Sequence, residues 1–305
     1  MQSFAVEVTS LSKAYGHIRA LDNITFSAGT GELFGFIGPD GAGKTTLFRI
    51  LATLLLADSG EAHVEGFDVV RQVKQIRNLI GYMPGRFSLY QDLTVEENLR
   101  FFATIFGTTI EENYDLIRDI YIQIEPFKNR RAGKLSGGMK QKLALSCALI
   151  HKPSVLFLDE PTTGVDAVSR REFWEMLKRL KEAGITIIVS TPYMDEASLC
   201  DRVALIQNGS IMAISTPQEV VSRFPLGMFS VSSDNVYRLL HDLKEMPGAA
   251  SVFAFGQHVH LSFEPGSIDQ HSVVQYLENK NHTRVSVSAI QPNIEDCFMN
   301  LMQNK

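Results

Sequence analysis

The chain has 305 residues, 45% of them hydrophobic and 21% charged, and its net charge of −5 argues against nucleic-acid binding as the main function. At roughly 150 residues per domain this length predicts two domains. Its three widely spaced cysteines form neither a disulfide framework nor a metal pattern, which fits a reducing cytoplasm. The N-terminus has no signal-peptide pattern, and no apolar run approaches the about 20 residues of a membrane helix. We therefore expect a chain that does not cross a membrane by itself.

Residues 1 to about 222 are predicted to form an α/β domain with a β-rich N-terminal portion. Short, continuous apolar runs are typical of buried parallel strands, and Asn208-Gly209 is typical of a hairpin turn. In chain order we predict strands at 4–8 and 32–37, a helix at 44–54, a strand at 155–158, a helix at 167–183, and strands at 185–189, 203–207 and 211–214.

The sequence pattern changes after a predicted helix at 216–223, where Pro225-Leu226-Gly227 indicates a boundary. We predict that the α/β domain extends over 1–223 and that a small α+β accessory domain covers 224–305. Its predicted strands are 228–231, 252–255, 258–263 and 285–287, and its predicted helices are 236–245, 269–279 and 294–302. Its histidines form no recognisable metal pattern, so we expect them to be hydrogen-bonded or solvent-facing; they are His258, His260, His271 and His282.

A phosphate-binding loop follows the second predicted strand. Gly38-Pro39-Asp40-Gly41-Ala42-Gly43-Lys44-Thr45 matches G-x-x-x-x-G-K-[ST] between a strand and a helix, which is the context that this motif requires. The glycines let backbone N–H groups turn toward phosphate oxygens, and the helix N-terminus adds partial positive charge. We predict that Lys44 reaches the β and γ phosphates of a nucleotide and that Thr45 offers its hydroxyl to Mg²⁺.

Two carboxylates, Asp159 and Glu160, follow the apolar strand at 155–158. Ligands of open α/β sheets bind beyond the carboxyl ends of the strands. Beside a phosphate-binding loop, Asp159 is therefore predicted to help hold Mg²⁺ through water, and Glu160 to orient or deprotonate the attacking water. A solvated strand end is the less favoured alternative.

A serine-glycine-glycine turn precedes a predicted helix at Leu135-Ser136-Gly137-Gly138-Met139-Lys140-Gln141. Ser136 is a good N-cap, and the two glycines permit close approach of a phosphate. The residues alone leave two interpretations open. One is a second anion site that faces the nucleotide of another copy or partner, and the other is simply a capped helix.

The order and spacing of these motifs resemble the nucleotide-binding domain of ABC transporters over residues 1–222. In that resemblance, 38–45 is the Walker A motif, 155–160 is Walker B, 135–141 is the signature of a helical subdomain, and Pro161–Asp166 is similar to the D-loop. The resemblance implies an adenine-stacking role for Tyr15, whose alternative is a core tyrosine. It makes Glu160 and Lys44 catalytic and places Thr45 and Asp159 at Mg²⁺. The implied ATP-binding residues are Tyr15, Gly38, Pro39, Asp40, Gly41, Ala42, Gly43, Lys44, Thr45, Thr46, Ser136, Gly137, Gly138 and Asp166.

The sequence around the motifs is most similar to ATP-binding subunits of type 2 ABC exporters of the drug-export group. The C-terminal segment at 292–298 resembles the end of their small C-terminal domain. The resemblance implies two ATPase domains packed head to tail with ATP between them. It also implies separate membrane-spanning subunits and a peripheral position on the cytoplasmic face of the membrane. Force would pass through the surface near 87–102. Its apolar anchors, some of which are core residues in the alternative interpretation, are Phe87, Leu89, Tyr90, Leu93, Phe101 and Phe102.

Two positions depart from the family pattern. The family expects a glutamine after residues 80–84 and a histidine after Ser190-Thr191, but this chain has Gly85 and Pro192. Neither residue has a polar side chain to contact Mg²⁺, water or the γ-phosphate. Gln91 is a possible but distant substitute, and Asp40, where asparagine is usual, adds negative charge.

Glu160 and the signature are retained. We therefore predict that the chain's own Walker site binds ATP but hydrolyses it slowly, and that it pairs with a different, fully equipped ATPase subunit rather than with a second copy.

Two other functions compete with an exporter ATPase. A nucleotide-responsive regulatory subunit with little turnover is favoured by the missing glutamine and histidine and disfavoured by Glu160. A soluble ABC-fold ATPase that acts on ribosomes or DNA is disfavoured by the single ATPase domain and the acidic net charge.

Overall fold

The computed structural model describes residues 4–303, and within this range the chain forms two compact units that divide between Pro217 and Gln218. The boundary predicted after residue 223 lies six residues C-terminal to this observed division. The predicted helix at 216–223 is present as Pro217–Ser222, and the division falls at its first residue. That the two units are an ATPase domain and an accessory domain with the predicted limits stays a prediction.

The first unit alternates strands with helices. Its strands are β1 (Phe4–Tyr15), β2 (Ile18–Gly29), β3 (Leu33–Ile37), β4 (Ser59–Val64), β5 (Phe67–Asp68), β6 (Ile80–Met83), β7 (Val155–Asp159), β8 (Thr186–Thr191), β9 (Arg202–Gln207) and β10 (Ser210–Ser215). Its α-helices are α1 (Lys44–Leu51), α2 (Val73–Leu79), α3 (Val95–Ile105), α4 (Tyr114–Tyr121), α5 (Gly137–Leu149) and α6 (Ala167–Glu182), with short 3₁₀ turns at Glu125–Phe127, Ala132–Lys134 and Met194–Leu199.

Two sheets organise this unit. An antiparallel sheet has the order β2-β1-β4-β5, and a mixed sheet has the order β10-β9-β3-β8-β7-β6. In the mixed sheet, β9, β3, β8, β7 and β6 run parallel and only the edge strand β10 is antiparallel. Every residue of β3, β7 and β8 is buried, which is why these strands read as continuous apolar runs in the sequence.

The strand predicted at 4–8 was too short, because β1 continues to Tyr15. Its pairing with β2 shifts register repeatedly, and Ser10 has a positive φ of 52°. Such irregularities interrupt the period-two alternation by which a strand is recognised. The helix predicted at 44–54 ends at Leu51 instead, since Thr53 has a left-handed φ of 60° that stops the helix.

A row of aromatic rings holds α1 in the core of the first unit. The Phe36 ring lies 4.8 Å from Phe26 of β2 and 6.0 Å from Phe48 of α1, between ring centroids. Phe48 lies in turn 6.1 Å from Phe157 of β7. Edge-to-face pairs at such distances add to the free energy of apolar burial. Because Phe48 packs against two strands of the mixed sheet, the position of α1 after the preceding loop is fixed.

Asn98 fixes the segment between β6 and α3. It is fully buried, its Oδ1 accepts from the Tyr90 N–H (3.1 Å), and its amide donates to the carbonyls of Tyr90 (3.0 Å) and Thr94 (2.9 Å). Thr94 and Glu97 form a capping box at the start of α3. The segment before α3 is therefore ordered by side-chain hydrogen bonds and not by regular secondary structure.

The second unit is an antiparallel sheet with helices, and all its predicted elements are present with small shifts at their ends. They are β11 (Gly227–Ser232), α8 (Val236–Lys244), β12 (Ala249–Phe255), β13 (His258–Phe263), α9 (Gln270–Asn279), β14 (Ser286–Ala289) and α10 (Ile294–Gln303). They follow α7 (Pro217–Ser222), whose first residue is the last residue of the first unit. The strand order is β12-β13-β11-β14, with every pair antiparallel. Val231, Leu239, Leu261 and Leu277 are fully buried in its core.

Two histidines of this unit are hydrogen-bonded, as the sequence led us to expect. The His282 side chain is fully buried, with Nε2 2.9 Å from Asp242 Oδ2 and Nδ1 3.2 Å from Ser233 Oγ. Nδ1 of His260 lies 2.8 Å from Asp296 and links β13 to α10. The hydrogen bond from His282 holds the pKa of the Asp242 carboxyl below its ordinary value.

We expect Asp242→Asn to lower the free energy of unfolding of the second unit by about 1–3 kcal/mol at pH 7, the typical worth of a hydrogen bond to a charged group. Because the pKa of Asp242 is lowered by folding, this stabilisation is present above the ordinary carboxyl pKa and is lost as the pH falls through the folded value. Urea unfolding at pH 7 and near pH 3, followed by circular dichroism, measures the difference, while emission from Trp174 reports on the first unit.

Glu245→Gln is the matched control. Its partner Lys280 lies 3.1 Å away, but the Glu245 side chain is 54% exposed, and exposed pairs contribute little. An equal loss in both variants, or a loss from Asp242→Asn that does not diminish in acid, would contradict the assignment.

Candidate functional site

The phosphate-binding loop packs so closely against β2 and β9 that two of its glycines leave no room for a side chain. A Cβ on Gly38 would lie 2.0 Å from the Ile206 carbonyl oxygen, and one on Gly43 would lie 2.2 Å from that of Ala20. Gly43 also has a left-handed φ of 102°. The glycines therefore let the backbone of β3 pass into α1 while the loop curls over the start of the helix.

Lys44 lies at the centre of this loop, and its side chain is only 2% exposed. Its Nζ donates to the carbonyl oxygens of Gly38 (2.8 Å) and Pro39 (3.0 Å) and lies 3.1 Å from Glu160 Oε1. The structure thus brings together the two residues predicted to be catalytic. A buried ammonium requires such partners, because an unpaired buried charge is strongly destabilising.

A cavity of about 360 Å³ opens above this ion pair. Tyr15 lies at its edge with 47% of its surface exposed, so it is not the core tyrosine that the sequence left open as an alternative. The lining of the cavity thus includes both an aromatic ring and the phosphate-binding loop. Its lining residues are Tyr15, Ile18, Arg19, Ala20, Gly41, Ala42, Gly43, Lys44, Thr45, Thr46, Glu160 and Asn208.

Asp159 and Glu160 are fixed by the neighbouring strand β8. Asp159 is buried, and its Oδ1 accepts a hydrogen bond from Ser190 Oγ at 2.7 Å. The same Ser190 oxygen accepts from the Glu160 N–H at 3.0 Å. Glu160 has a left-handed φ of 49°, a conformation that costs a non-glycine residue free energy and that clusters at functional sites. The chain therefore turns sharply after β7, where Glu160 meets Lys44.

The two departures from the family pattern both adjoin this site. A Cβ on Gly85 would lie 3.0 Å from the Asp159 carbonyl oxygen. Pro192 directly follows Thr191, whose carbonyl accepts the Gly38 N–H at 3.3 Å. Gln91 packs against Gly133, accepting its N–H at 2.9 Å, and does not line the cavity. Asp40 is exposed and also lies outside the cavity lining.

The signature turn lies apart from the cavity and against the D-loop segment. Ser136 caps α5 by accepting the Met139 N–H at 3.4 Å, and Ser136 and Gly137 are exposed. A Cβ on Gly138 would lie 2.8 Å from Ser169 Oγ. Asp166 caps α6, and hydrogen bonds from Ser169 hold its pKa below the ordinary value. Within the described residues, neither the signature nor Asp166 joins the cavity lining of its own chain.

A second cleft of about 590 Å³ has mostly apolar walls. Of the predicted anchors, Leu89 and Phe102 line it, whereas Tyr90 is 51% exposed and stacks edge-to-face on Phe101 at 4.8 Å between centroids. The lining residues are Arg49, Ala52, Leu54, Arg77, Ile80, Gly81, Tyr82, Met83, Pro84, Ser88, Leu89, Phe102, Phe106, Ala144, Cys147, Ala148 and His151.

Sequence reasoning missed His151, which belongs to no motif. Its ring stacks on Phe106 at 3.7 Å between centroids, and its Nε2 lies 3.0 Å from the Ile80 carbonyl oxygen. Burial lowers its pKa, so the ring favours the neutral form. Only the packing of α3 against α5 reveals that this histidine contributes to the cleft wall.

Comparisons with known proteins agree with this geometry. The model of the ABC transporter family matches residues 21–163. The daunorubicin resistance ATP-binding protein DrrA2 of Streptomyces coeruleorubidus is 36% identical over 266 residues, which cover 83% of this chain and 78% of that protein. The chain belongs to the ABC transporter ATP-binding proteins. The predicted fold class is thereby confirmed: a P-loop ABC-type ATPase fold accompanied by further helices and strands.

Two further relatives define the extent of the similarity. The probable multidrug ABC transporter ATP-binding protein YbhF of Escherichia coli is 41% identical over 217 residues, 70% of this ABC protein but only 38% of YbhF. The chain therefore spans well under half of that relative. A solved structure described as a dimeric, post-hydrolysis state of the ATP-binding cassette MJ0796 with ADP and Pi is 26% identical. It has a TM-score of 0.63 and covers 69% of this chain and 98% of that one.

The contact between the signature and α6 distinguishes two adjacent glycines. We expect Gly138→Ala to lower the free energy of unfolding by about 1–3 kcal/mol, the usual cost of overpacking. The added methyl would lie 2.8 Å from Ser169 Oγ and 3.1 Å from its Cβ, and that hydroxyl is held by Asp166 at 2.8 Å. Urea unfolding followed by Trp174 emission measures the change.

Gly137→Ala is the control, because its methyl would meet the Gly164 carbonyl at an ordinary 3.5 Å. Alanine also favours a helix by up to about 1 kcal/mol over glycine, so no loss of stability is expected. Equal destabilisation by the two substitutions would show that the Ser169 contact is unimportant.

Proposed function

We propose that this ABC transporter ATP-binding protein binds ATP with Mg²⁺ in the cavity above Lys44 and serves as the ATPase subunit of an exporter. The ion pair between Lys44 and Glu160 is the observation that carries the proposal. It joins the cation that would meet the β and γ phosphates to the carboxylate that would act on water.

The cavity supplies what a nucleoside triphosphate requires. The backbone N–H groups at Gly41–Thr46 would bind the phosphates, and the exposed Tyr15 ring offers a surface for adenine. The Thr45 hydroxyl and the Asp159 carboxylate are hard oxygen donors that fit Mg²⁺, with Asp159 oriented by Ser190. Bound there, Mg²⁺ would neutralise phosphate charge.

Nucleotide binding would change the partner of Lys44. A γ-phosphate competes with Glu160 for the same ammonium, and it brings more charge than one carboxylate. Once released from Lys44, Glu160 becomes free to accept a hydrogen bond from water. The ion pair therefore holds Oε1 of Glu160 on Lys44 until a phosphate displaces it.

Turnover at this site is expected to be slow, because Gly85 and Pro192 replace two polar groups beside Asp159 and the phosphate-binding loop. Losing one preorganised contact to developing charge costs on the order of 10²–10³ in rate.

A second ATPase subunit would complete the site. The signature residues 136–138 lie outside the cavity of their own chain, so a nucleotide bound here must be capped by another molecule. This chain's own signature would in turn cap the nucleotide of a fully equipped partner, which favours an asymmetric pair over two identical copies. The dimeric cassette MJ0796 supports pairing as such.

A nucleotide-responsive regulatory subunit is the second candidate. Gly85 and Pro192 favour this candidate, since a site without polar side chains at these positions would still bind nucleotide but would lack contacts needed for rapid hydrolysis. The retained Glu160, aligned with Lys44, favours the ATPase.

The apolar cleft is proposed to receive a membrane-spanning partner subunit on the cytoplasmic face of the membrane. None of the helices within residues 4–303 combines the length and the apolar character of a bilayer crossing. An export function is supported by the names of the multidrug and daunorubicin-resistance relatives.

Restoring both missing side chains should raise turnover. We expect the wild-type chain to bind ATP but to hydrolyse it no faster than the Glu160→Gln variant does. The double variant Gly85→Gln with Pro192→His should increase the rate by at least about tenfold. This increase is smaller than the rate lost with one complete preorganised contact. Steady-state phosphate release, measured over a range of protein concentrations, tests both statements.

Gln91→Ala is the control and should have no effect, because Gln91 does not line the cavity. Wild-type turnover that rises with concentration and disappears in Glu160→Gln would instead indicate a working homodimer and contradict the slow site.

The cleft proposal is tested by two nearby leucines of similar exposure. Leu54 is 56% exposed and lines the cleft, whereas Leu56 is 63% exposed and does not. We expect Leu54→Glu to reduce the fraction of the chain recovered with membranes of cells that produce it, and Leu56→Glu to leave that fraction unchanged. A charge buried against an apolar partner is costly, while one in solvent is not. Equal recovery of both variants would place the docking surface elsewhere.

A further inference from the structure

Glu196 is a buried carboxylate outside every motif described above. It lies in the 3₁₀ turn Met194–Leu199 after β8 and is 2% exposed. A buried carboxylate must be hydrogen-bonded or paired, because its desolvation costs several kcal/mol. Its partners therefore show what this part of the fold depends on.

Both carboxylate oxygens of Glu196 accept hydrogen bonds from buried threonines. Oε1 accepts from Thr162 Oγ1 at 2.8 Å, and Oε2 accepts a short hydrogen bond from Thr191 Oγ1. Thr162 is the second residue of the D-loop segment and lies two residues after Glu160, and Thr191 precedes Pro192. Thr191 Oγ1 also accepts the Tyr193 N–H at 3.0 Å. One side chain thus joins the segments on both sides of the Lys44–Glu160 pair.

Arg170 extends this network to α6. Its Nε lies 3.8 Å from Glu196, a guanidinium nitrogen lies 3.4 Å from Asp195, and the group covers the Tyr193 ring at 4.9 Å. The same helix is capped by Asp166 at the end of the D-loop segment. A displacement of the segment that contains Thr162 or of the one that contains Thr191 therefore strains a hydrogen bond to Glu196. Through Arg170 it also affects the packing of α6.

We propose that Glu196 is a positioning residue that makes residues 160–166 and 191–193 respond to bound nucleotide as one body and passes that response to α6. It acts through Thr162, Thr191 and Arg170, and it need not touch the nucleotide. The inference rests on the proposed function, because the two segments flank the site where the γ-phosphate of ATP would bind.

The chain contains a built-in reporter for this coupling. Trp174 is its single tryptophan, is 2% exposed, and lies one helical turn after Arg170 on α6. Its emission reports a change in the packing of α6. A variant that is merely less stable would not by itself change how this emission depends on bound nucleotide.

The experiment titrates the full chain with Mg²⁺ and a non-hydrolysable ATP analogue. Calorimetry measures binding, and Trp174 emission measures the response of α6. We expect the wild type to bind and change its emission. Thr162→Val and Thr191→Val each remove one hydroxyl donor from Glu196. Each variant should still bind the analogue but lose the emission change. Either variant suffices if the other fails to fold.

Thr163→Val is the matched control, because Thr163 is the exposed neighbour of Thr162 and should keep both binding and response. The double variant should lose no more than either single variant, since both act through one carboxylate. A full emission change in Thr162→Val and Thr191→Val, or a wild type that binds the analogue without any change, would overturn the inference. A wild type that does not bind, seen directly by calorimetry, would overturn the proposed function and this inference with it.

Discussion

A single buried cation organises the first unit. The Lys44 ammonium is almost completely removed from solvent, and it is satisfied by two loop carbonyls and the Glu160 carboxylate. For these partners to converge, β3 and β7 must lie in one parallel sheet, separated only by β8, and the loop after β3 must curl back over the start of α1. The aromatic packing around Phe48 and the glycines that admit the loop serve this requirement.

The chemical groups of the site are divided between two surfaces. The cavity holds the phosphate-binding loop, Tyr15 and Glu160, whereas the signature lies against α6 and outside the cavity. In the proposed function this division leaves the nucleotide site incomplete in one molecule, and it is the physical basis for the proposed partner. The D-loop segment lies between the two surfaces, since it directly follows Glu160 and ends at the Asp166 cap of α6. Coupling through Glu196 would allow one surface to respond to the other.

Much of the fold followed from local patterns, and the exceptions have identifiable causes. The strand 258–263 was predicted with its observed limits because its alternation is regular, and Asn208-Gly209 marked the β9–β10 hairpin. The first strand was underestimated because its bulges break the alternation. Glu196 and His151 were missed because nothing in their neighbouring residues distinguishes them from ordinary polar positions. Each acquires its role from residues distant in sequence, such as Thr162 or Ile80.

The sequence by itself determined the phosphate-binding loop, the carboxylate pair at the end of β7, the capped signature helix and the two departures at Gly85 and Pro192. Each depends on residue type at short spacing, where backbone geometry and side-chain chemistry are local. Only the tertiary structure decided that Lys44 pairs with Glu160, that the signature lies outside the cavity lining, and that Glu196 joins two separate segments. Contacts between residues far apart in sequence are set by sheet order and core packing, which no short motif encodes.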